Sequence, residues 1–532
     1  MKRTLGCQIS HILKSKGVDF VFGIPGVHNQ ELYRGIEEAG IHHILARHEQ
    51  GAGFMADGFS RATGLPGVAY VITGPGLCNI MTPLGQAFSD SVPILVISSA
   101  LEEDSLEPGR GRLHEMKDQR LAAGTVCDWS KIVKKEGDAY ELIDRAFYEF
   151  QNMRKRPKHI QIPISLLESQ IKCDYSKPSE KRVTPILKSK PDLTFLKELL
   201  RDSPKILFVF GGGATHCSKI ATNVIEKCNA ASFSTFSGRG IIKSSNKLNL
   251  GSYLSHKRSI EPISDADIVI AVGTSLSEVD LWRDYLGVSG KFIWVNSDPT
   301  AFSSNVGSHQ KVLCESDKFL QAFYEIIPAD YAKTWDVSFV KSFKNKCENE
   351  VNNIRPGIVP ICHALRACTS ENTMFFSDMT QFAYVAKEVV KMEHPNLWHH
   401  PYGFGTLGYA LPAAIGGALG KPDIPIIAIA GDYGFQYTIQ ELATAVELKL
   451  SLPIILWDNG KLKEIEDSMR SAQIAPNAVT AFNPDFCKLA EAYGAASVSP
   501  KDLEEFQKQV VLAFSRRVPT LIHLSTNFIA EF

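Results

Sequence analysis

The sequence lacks several features that mark particular classes of protein. Its 11 cysteines include no Cys-x-x-Cys pair, which argues against a zinc ribbon and a dithiol redox motif. No run of about 18 apolar residues occurs, so no membrane span is expected. The 57 basic residues are balanced by 58 acidic ones, so no global charge favours nucleic acid or an acidic surface. We therefore expect a soluble cytoplasmic protein without nucleic-acid or membrane partners.

Alternating strand and helix signals are present along the whole chain. Its 532 residues, 44% of them hydrophobic, are enough for about three domains. The pattern predicts an α/β fold of three doubly wound parallel-sheet domains at residues 1–171, 190–340 and 355–532. A polar, proline-bearing stretch at about 172–190 is predicted to be a linker, and a charged stretch at 341–353 precedes the third domain.

Two apolar runs in the third domain end in side chains that carry oxygen ligands. The run at 425–430 is followed by Gly431-Asp432, and the run at 453–457 is followed by Asp458-Asn459. A strand-helix-strand crossover would bring Asp432 and Asn459 to the same carboxyl edge of a parallel sheet. An Asp and an Asn with a bound phosphate suit Mg²⁺. A surface turn with a helix-capping Asp is the alternative.

This stretch resembles the thiamine-diphosphate (ThDP) motif of the acetolactate synthase and pyruvate decarboxylase superfamily. The usual motif is Gly-Asp-Gly followed further on by Asn-Asn, whereas this chain has Tyr433 for the second glycine and Asp458 for the first asparagine. The resemblance implies that ThDP is the cofactor, with Mg²⁺ beside its diphosphate. It predicts cofactor contacts at Gly431, Asp432, Tyr433, Gly434 and Asn459, with Mg²⁺ held by Asp432, Asn459 and the carbonyl of Lys461.

Three other segments match the same superfamily. By composition alone, Glu49 could simply be a first-turn carboxylate that a helix dipole stabilises. The resemblance instead implies that it hydrogen-bonds N1′ of the aminopyrimidine and so promotes cofactor activation. It also implies that Gly74 and Asn79, in and after a Gly-Pro-Gly loop, shape the cofactor pocket. The carbonyl of Gly405 is predicted to accept a hydrogen bond from the 4′-amino group, and Leu407 to separate the two cofactor rings.

The remaining candidates concern the substrate. His28 and His114 are predicted to transfer protons, because imidazole titrates near neutrality, although a structural role for each is the alternative. The resemblance is to the 5-guanidino-2-oxopentanoate decarboxylase branch, and a guanidinium group needs a carboxylate or aromatic partner. Glu115, Gln381 and Glu464 are the candidate substrate contacts. A solvated helix face is the alternative for the charged run that contains Glu464.

The resemblance implies non-oxidative decarboxylation of a 2-oxo acid, through addition of the C2 carbanion and an enamine intermediate. An acetolactate-synthase-like carboligase is one alternative, and a catalytically degenerate regulatory or scaffold protein is another. A homodimer or homotetramer with active sites between subunits is expected. In the superfamily the central domain holds FAD or ADP in some members, but here we favour a purely structural central domain.

Overall fold

Three six-stranded parallel sheets form the framework of the protein. The computed structural model describes residues 3–102, 109–171, 190–303, 307, 310–332 and 334–529. Each sheet is covered by helices, so the predicted fold class of three doubly wound parallel-sheet domains is confirmed. The predicted linker at 172–190 lies almost entirely outside the described residues. None of the described helices is both long and apolar enough to cross a membrane.

The first sheet has the strand order β3-β2-β4-β5-β7-β6, and β1 pairs with β8 in a separate antiparallel ribbon. Its strands are β1 Arg3–Thr4, β2 Phe20–Gly23, β3 His42–Leu45, β4 Gly67–Val71, β5 Ile94–Ala100, β6 Trp129–Ile132, β7 Lys158–Pro163 and β8 Gln170–Ile171. Its helices are α1 Leu5–Ser15, α2 Gln30–Arg34, α3 Ile36–Ala39, α4 Glu49–Thr63, α5 Pro75–Asp90, α6 Gln119–Gly124, α7 Glu136–Asn152 and α8 Ile164–Glu168.

The central sheet has the order β11-β10-β9-β12-β13-β14, which is the order of a dinucleotide-binding doubly wound fold. Its strands are β9 Ile206–Phe210, β10 Ala231–Ser234, β11 Asn249–Gly251, β12 Ile268–Val272, β13 Lys291–Asn296 and β14 Gln310–Leu313. Its helices are α9 Thr194–Leu199, α10 Ser218–Cys228, α11 Ile260–Ser264, α12 Glu278–Leu281 and α13 Ser316–Ile326.

The third sheet has the order β16-β15-β17-β18-β20-β19, which repeats the order of the first sheet strand for strand. Its strands are β15 Met374–Ser377, β16 Trp398–His399, β17 Ile426–Gly431, β18 Pro453–Asp458, β19 Ala496–Val498 and β20 Thr520–Ser525. The helices of this part are α14 Val337–Ile354, α15 Ile358–Ala367, α16 Gln381–Val389, α17 Ala410–Gly420, α18 Asp432–Tyr437, α19 Glu441–Glu447, α20 Lys463–Ser471, α21 Phe486–Ala492, α22 Leu503–Ala513 and α23 Thr526–Ile529.

The charged stretch at 341–353 forms most of α14, the helix that leads into the third domain. Val340, Phe343, Cys347 and Val351 are buried at helical spacing, whereas Lys341, Lys346 and Asn349 are exposed. The stretch therefore connects the central and third domains as an amphipathic helix that is packed along one side.

Helices α4 and α17 join the first domain to the third through close backbone packing. A Cβ atom added to Gly58 would lie 1.9 Å from the carbonyl oxygen of Ala413, and one added to Gly416 would lie 1.9 Å from that of Met55. Such distances leave no room for a methyl group. Glycine is therefore needed at both crossing points so that the two helix backbones can touch.

We expect Gly416→Ala to lower the free energy of unfolding by about 2 kcal/mol or more, because the backbones of α4 and α17 must separate to admit the methyl group. Urea denaturation of the purified protein would measure the change. Gly137→Ala in α7 is the matched control: nothing lies within 4 Å of its added Cβ atom, so this change should be neutral or slightly stabilising. Equal stability of the two variants would contradict the packing argument.

Candidate functional site

The ends of β17 and β18 place the predicted metal ligands at one edge of the third sheet. Gly431 of β17 pairs with Trp457 of β18, so Asp432 and Asn459 leave the sheet side by side at its carboxyl edge. The neighbouring pair β15 and β17 is where the strand order reverses. In open α/β sheets this switch point is where ligands bind.

Asp432 is buried, and its side chain has amide rather than cationic partners in the described structure. Asn483 Nδ2 donates to Asp432 Oδ2 at 2.7 Å and to Asp458 Oδ1 at 2.8 Å. Burial and the charge of Asp458 raise the pKa of Asp432. Two carboxylates that share one amide donor, at a sheet edge where Asn459 directly follows Asp458, fit a divalent cation with oxygen ligands.

The segment after Asn459 turns sharply. Asp458 Oδ1 accepts a hydrogen bond from the backbone N–H of Gly460 at 3.1 Å, and Asn459 Oδ1 accepts one from that of Lys461, also at 3.1 Å. His523 Nε2 lies 2.9 Å from Asp458 Oδ2, so the aspartate that replaces the usual asparagine has its own partner. This second carboxylate therefore belongs to the site and is not a free surface charge.

The usual motif has a second glycine at the position of Tyr433. In this chain the glycine that is packed closely against a neighbouring side chain is instead Gly434. A Cβ atom on Gly434 would lie 2.5 Å from Asp378 Oδ2. Asp378 is fully buried after β15, where it accepts hydrogen bonds from the backbone N–H groups of Met379 and Gly408 at 2.8 Å each. Burial raises its pKa to about 6. Tyr433 is half-buried, so the departure from Gly-Asp-Gly does not interrupt the first turn of α18.

A loop at residues 401–408 carries Gly405 and Leu407 and is attached to α5. The backbone N–H groups of Tyr402 and Gly403 donate to Asp90 at 3.2 and 2.9 Å. The backbone and hydroxyl groups of Thr406 both donate to Gln86 Oε1, at 3.3 and 3.1 Å. Gly405 has φ +69°, a conformation that favours glycine, and Leu407 is half-buried.

Glu49 is the first residue of α4, and its carboxylate is 8% exposed. Asn79 Nδ2 donates to Glu49 Oε2 at 2.9 Å. The other oxygen, Oε1, would lie 3.3 Å from a Cβ atom on Gly76, so the Gly-Pro-Gly loop packs directly against the carboxylate. The structure thus brings Glu49 and Asn79 together at the start of α5.

His28 and His114 meet although they lie on separate loops of the first domain. Their ring centroids are 4.8 Å apart, and in the described structure both Nδ1 atoms are buried without a hydrogen-bond partner. The carbonyl oxygen of His114 would lie 2.7 Å from a Cβ atom on Gly74. The Gly74–Gly76 turn therefore has the histidine pair on one side and Glu49 on the other. Burial, and then the charge of His114, lower the pKa of His28.

The three candidate substrate contacts all have partners in the chain itself. Arg355 donates to both oxygens of Glu464 at 3.0 Å, and Gln381 Nε2 donates to Glu464 Oε1 at 3.0 Å. Burial opposes ionisation, but the hydrogen bonds from Arg355 keep the pKa of Glu464 below its usual value. Asn459 Nδ2 donates to Gln381 Oε1 at 3.2 Å, so this network reaches the candidate metal ligand.

Glu115 is engaged within its own loop. Its carboxylate accepts hydrogen bonds from the backbone N–H groups of Gly109 and Arg112, the latter at 2.9 Å. These bonds, first that from Arg112, lower the pKa of Glu115. Its clear function in the structure is to shape the loop that presents His114.

Several residues that support the site escaped the sequence analysis. Glu441 is fully buried and accepts hydrogen bonds from the backbone N–H groups of Arg47 and His48, just before Glu49, at 3.0 Å each. Gln119 accepts hydrogen bonds from the Thr73 hydroxyl and the Gly74 N–H, at 2.6 and 3.0 Å. Asn483, Arg355 and Asp378 were also missed. No local spacing signals these long-range contacts.

Family models match all three parts of the chain. Residues 3–121 match the N-terminal TPP binding domain of thiamine pyrophosphate enzymes, 193–323 the central domain and 378–524 the C-terminal TPP binding domain. The chain is 38% identical to the probable 2-ketoarginine decarboxylase AruI of Pseudomonas aeruginosa, over 98% of this chain and 94% of that protein. The chain belongs to the thiamine pyrophosphate enzymes. Thiamine pyrophosphate is ThDP, so the predicted family is confirmed.

Other relatives of this thiamine pyrophosphate enzyme are acetolactate synthases. It is 29% identical to the large subunit from Haemophilus influenzae, over 97% of this chain and 93% of that protein. It is 26% identical to the isozyme 1 large subunit from Escherichia coli, over 98% of this chain and 94% of that protein. The protein is thus an enzyme of the decarboxylase or carboligase kind, and not a degenerate scaffold.

Glu441 should make stability depend on pH. Burial raises its pKa from 4.5 to about 7, so between these values the folded protein binds more protons than the unfolded chain. Stability contributed by the protonated form is therefore lost as pH rises towards 7. We expect the free energy of unfolding of the wild type, relative to Glu441→Gln, to fall by at most about 3 kcal/mol between about pH 5 and pH 8.

Urea denaturation at several pH values would measure this difference. Glu447→Gln changes an exposed carboxylate on the same helix and is the matched control, for which no such trend is expected. A difference between wild type and Glu441→Gln that is constant across this pH range would contradict the assignment.

Proposed function

We propose that this enzyme catalyses the ThDP- and Mg²⁺-dependent, non-oxidative decarboxylation of a 2-oxo acid that carries a guanidinium group, such as 2-ketoarginine. The observation that carries the proposal is the contact between His28 and His114 beside the Gly74–Gly76 turn. Full-length similarity to the probable 2-ketoarginine decarboxylase supports the substrate class.

The histidine pair favours decarboxylation because the two reaction types differ in how they treat a proton. A decarboxylase must protonate the carbon that loses CO₂ before an aldehyde can leave, whereas a carboligase must admit a second carbonyl compound to that carbon. His28 and His114 have buried, unpartnered Nδ1 atoms in the described structure. Two neighbouring imidazoles whose buried ring nitrogens can donate or accept a proton suit this step.

When bound, ThDP supplies the carbanion that adds to the substrate carbonyl and the electron sink that accepts the electrons left by CO₂. Glu49 would hold the proton at N1′ of the aminopyrimidine, and the carbonyl of Gly405 would orient the 4′-amino group. Leu407 would set the angle between the rings. Buried carboxylates with close-packed glycines around them, as at Asp432 and Gly434, fit the diphosphate end with its metal ion.

We propose Mg²⁺ as that ion, with Asp432, Asn459 and the carbonyl of Lys461 as protein ligands. The oxygen-only ligand set and the diphosphate partner are those that Mg²⁺ prefers. Glycines 431 and 434 and the half-buried Tyr433 would line the diphosphate. Gly74 and Asn79 would support the pyrimidine end.

A homodimer or homotetramer follows from where the two ends of the site lie in one chain. Asn79 contacts Glu49, whereas Gln86 and Asp90 hold the loop of Gly405. These positions on α5 are separated by about 10 Å or more along the helix axis. Because Glu49 and Gly405 must reach the same aminopyrimidine ring, we propose that Glu49 acts on a cofactor held by a second subunit.

Glu464 is the proposed partner for the guanidinium tail, by exchange with Arg355. The two hydrogen bonds from Arg355 support this role, because they form the bidentate pairing that a carboxylate makes with a guanidinium group. Gln381 would contribute to substrate binding through its hydrogen bond to Glu464. Glu115 would contribute by shaping the loop that carries His114. We further propose that the glycine turn at 211–213 of the central domain is structural and holds no FAD or ADP, because it packs against Gly273.

A panel of 2-oxo acids tests the proposal. With ThDP and Mg²⁺, 2-ketoarginine should give CO₂ and the corresponding guanidino aldehyde, and 2-oxohexanoate, which lacks the guanidinium group, should react with a kcat/KM lower by about tenfold or more. Products would be identified by mass spectrometry. An acyloin or acetohydroxy acid from pyruvate as the main product would establish the carboligase alternative and overturn the decarboxylase proposal.

Glu49→Gln should lower kcat by about a hundredfold or more, because the amide cannot hold the proton that cofactor activation requires. Hydrogen–deuterium exchange at C2 of bound ThDP should slow in parallel. Glu136→Gln alters another first-turn helix carboxylate and is the matched control, which should retain kcat. If Glu49 were only a helix-dipole carboxylate, both variants would behave alike.

A further inference from the structure

A cavity of about 400 Å³ lies at the junction of the central domain, helix α14 and the third domain, away from the candidate active site. One wall is the loop at 244–247, and α14 forms another. Lys247, Lys341, Lys344 and Lys391 line the cavity. None of these four ammonium groups forms an ion pair with any residue that the structure describes.

The acidic groups near the cavity are already engaged. Glu348 is the one carboxylate in its lining, and its Oε1 lies 3.3 Å from His363 Nε2. Glu393 accepts hydrogen bonds from the backbone N–H and the hydroxyl of Ser245, at 3.1 and 2.6 Å. Four lysines and one engaged carboxylate line the cavity, so its net charge is positive, and Lys344 and Lys391 repel one another.

Lys344 is the lysine of the cavity whose pKa responds to this repulsion. It is half-buried on α14, and burial, followed by the charge of Lys391, lowers the pKa of its ammonium group. An anion in the cavity would reverse both effects, because it would replace lost hydration and screen the lysines from one another.

The cavity walls are held in place without a ligand. Ser244 exchanges hydrogen bonds with Met392: its N–H and its hydroxyl each lie 3.0 Å from the Met392 carbonyl oxygen, and the Met392 N–H donates to the hydroxyl at 2.9 Å. Together with the two hydrogen bonds from Ser245 to Glu393, these hydrogen bonds fix the 244–247 loop of the central domain against the segment after α16. A ligand would therefore enter a preformed site and lose little free energy to reorganisation.

We propose that this cavity is a binding site for a small molecule that carries two or more phosphate groups. Four lysines match a polyanion, and the flexible ammonium groups suit phosphate oxygens as point charges. Val337 and Val340 add an apolar side that could pack against an organic part of the ligand, as in a nucleoside diphosphate. A ligand bound there would contact both the central and the third domain and would therefore stabilise their junction.

Isothermal titration calorimetry on the holoenzyme, saturated with ThDP and with excess Mg²⁺, tests the proposal. ADP and inorganic pyrophosphate should bind, inorganic phosphate should bind more weakly, and adenosine should not bind. Affinity should fall as NaCl is raised, because salt screens the lysines. Saturating ThDP keeps the probes from reporting on the active site. No binding by either diphosphate probe would overturn the proposal.

The double variant Lys344→Gln/Lys391→Gln should lose affinity for ADP by about tenfold or more, because two charge-assisted hydrogen bonds to the phosphates are removed. Lys131→Gln/Lys219→Gln removes two exposed lysines elsewhere and is the charge-matched control, which should bind as the wild type does. Unchanged ADP affinity in the Lys344/Lys391 variant would refute the site.

A second readout separates this site from a merely structural cluster. Without ligand and at low ionic strength, Lys344→Gln/Lys391→Gln should have a higher melting temperature than the wild type, because repulsion is relieved. ADP should raise the melting temperature of the wild type but not of the variant. A variant that melts lower in the absence of ligand would show that the lysines stabilise the fold themselves, and would overturn the proposal.

Discussion

The backbone contact between α4 and α17 is the constraint on which the site geometry depends. Helix α4 begins with Glu49, and α17 follows directly on the loop that carries Gly405 and Leu407. Gly58 and Gly416 allow the two helix backbones to touch, so the first and third domains meet at a fixed spacing. In the proposed oligomer the cofactor lies between the third domain of one subunit and Glu49 of another. Each chain then needs this rigidity, because a small shift between its first and third domains would move Glu49 away from the partner's cofactor ring.

Buried carboxylates carry much of the organisation around that contact. Glu441 holds the backbone that leads into α4, Asp378 holds the backbone that leads into α17, and Asp432 lies between them in sequence at the end of β17. Glu441 and Asp378 are satisfied by backbone N–H groups, which is how a buried charge is tolerated. Asp432 accepts a hydrogen bond at 2.7 Å from the side-chain amide of Asn483, which it shares with the second carboxylate Asp458, and this pairing of two carboxylates suits a candidate metal ligand.

The sequence predicts best what local patterns encode. The apolar runs at 425–430 and 453–457 form β17 and β18 with bounds that agree to within one residue, because buried parallel strands are uninterrupted apolar runs between turns. The edge shared by Asp432 and Asn459 follows from the handedness of a crossover connection. Glu441 and Asn483 could not be predicted, since their contacts join segments that are distant along the chain and show no periodicity. The contact between His28 and His114 likewise joins distant segments, so no local pattern predicts it.

Under the proposed function, the chemistry that would distinguish this enzyme from its carboligase relatives lies in the first domain and not at the metal edge. Asp432 and Asn459 would serve a decarboxylase and a carboligase equally, because both need the same diphosphate anchor. In the proposed reaction His28 and His114 would act where the two reactions separate: proton donation releases an aldehyde, whereas exclusion of the proton allows a second carbonyl compound to react. Gly74 packs against His114 and Gly76 packs against Glu49, so one turn would position both the activating and the protonating groups.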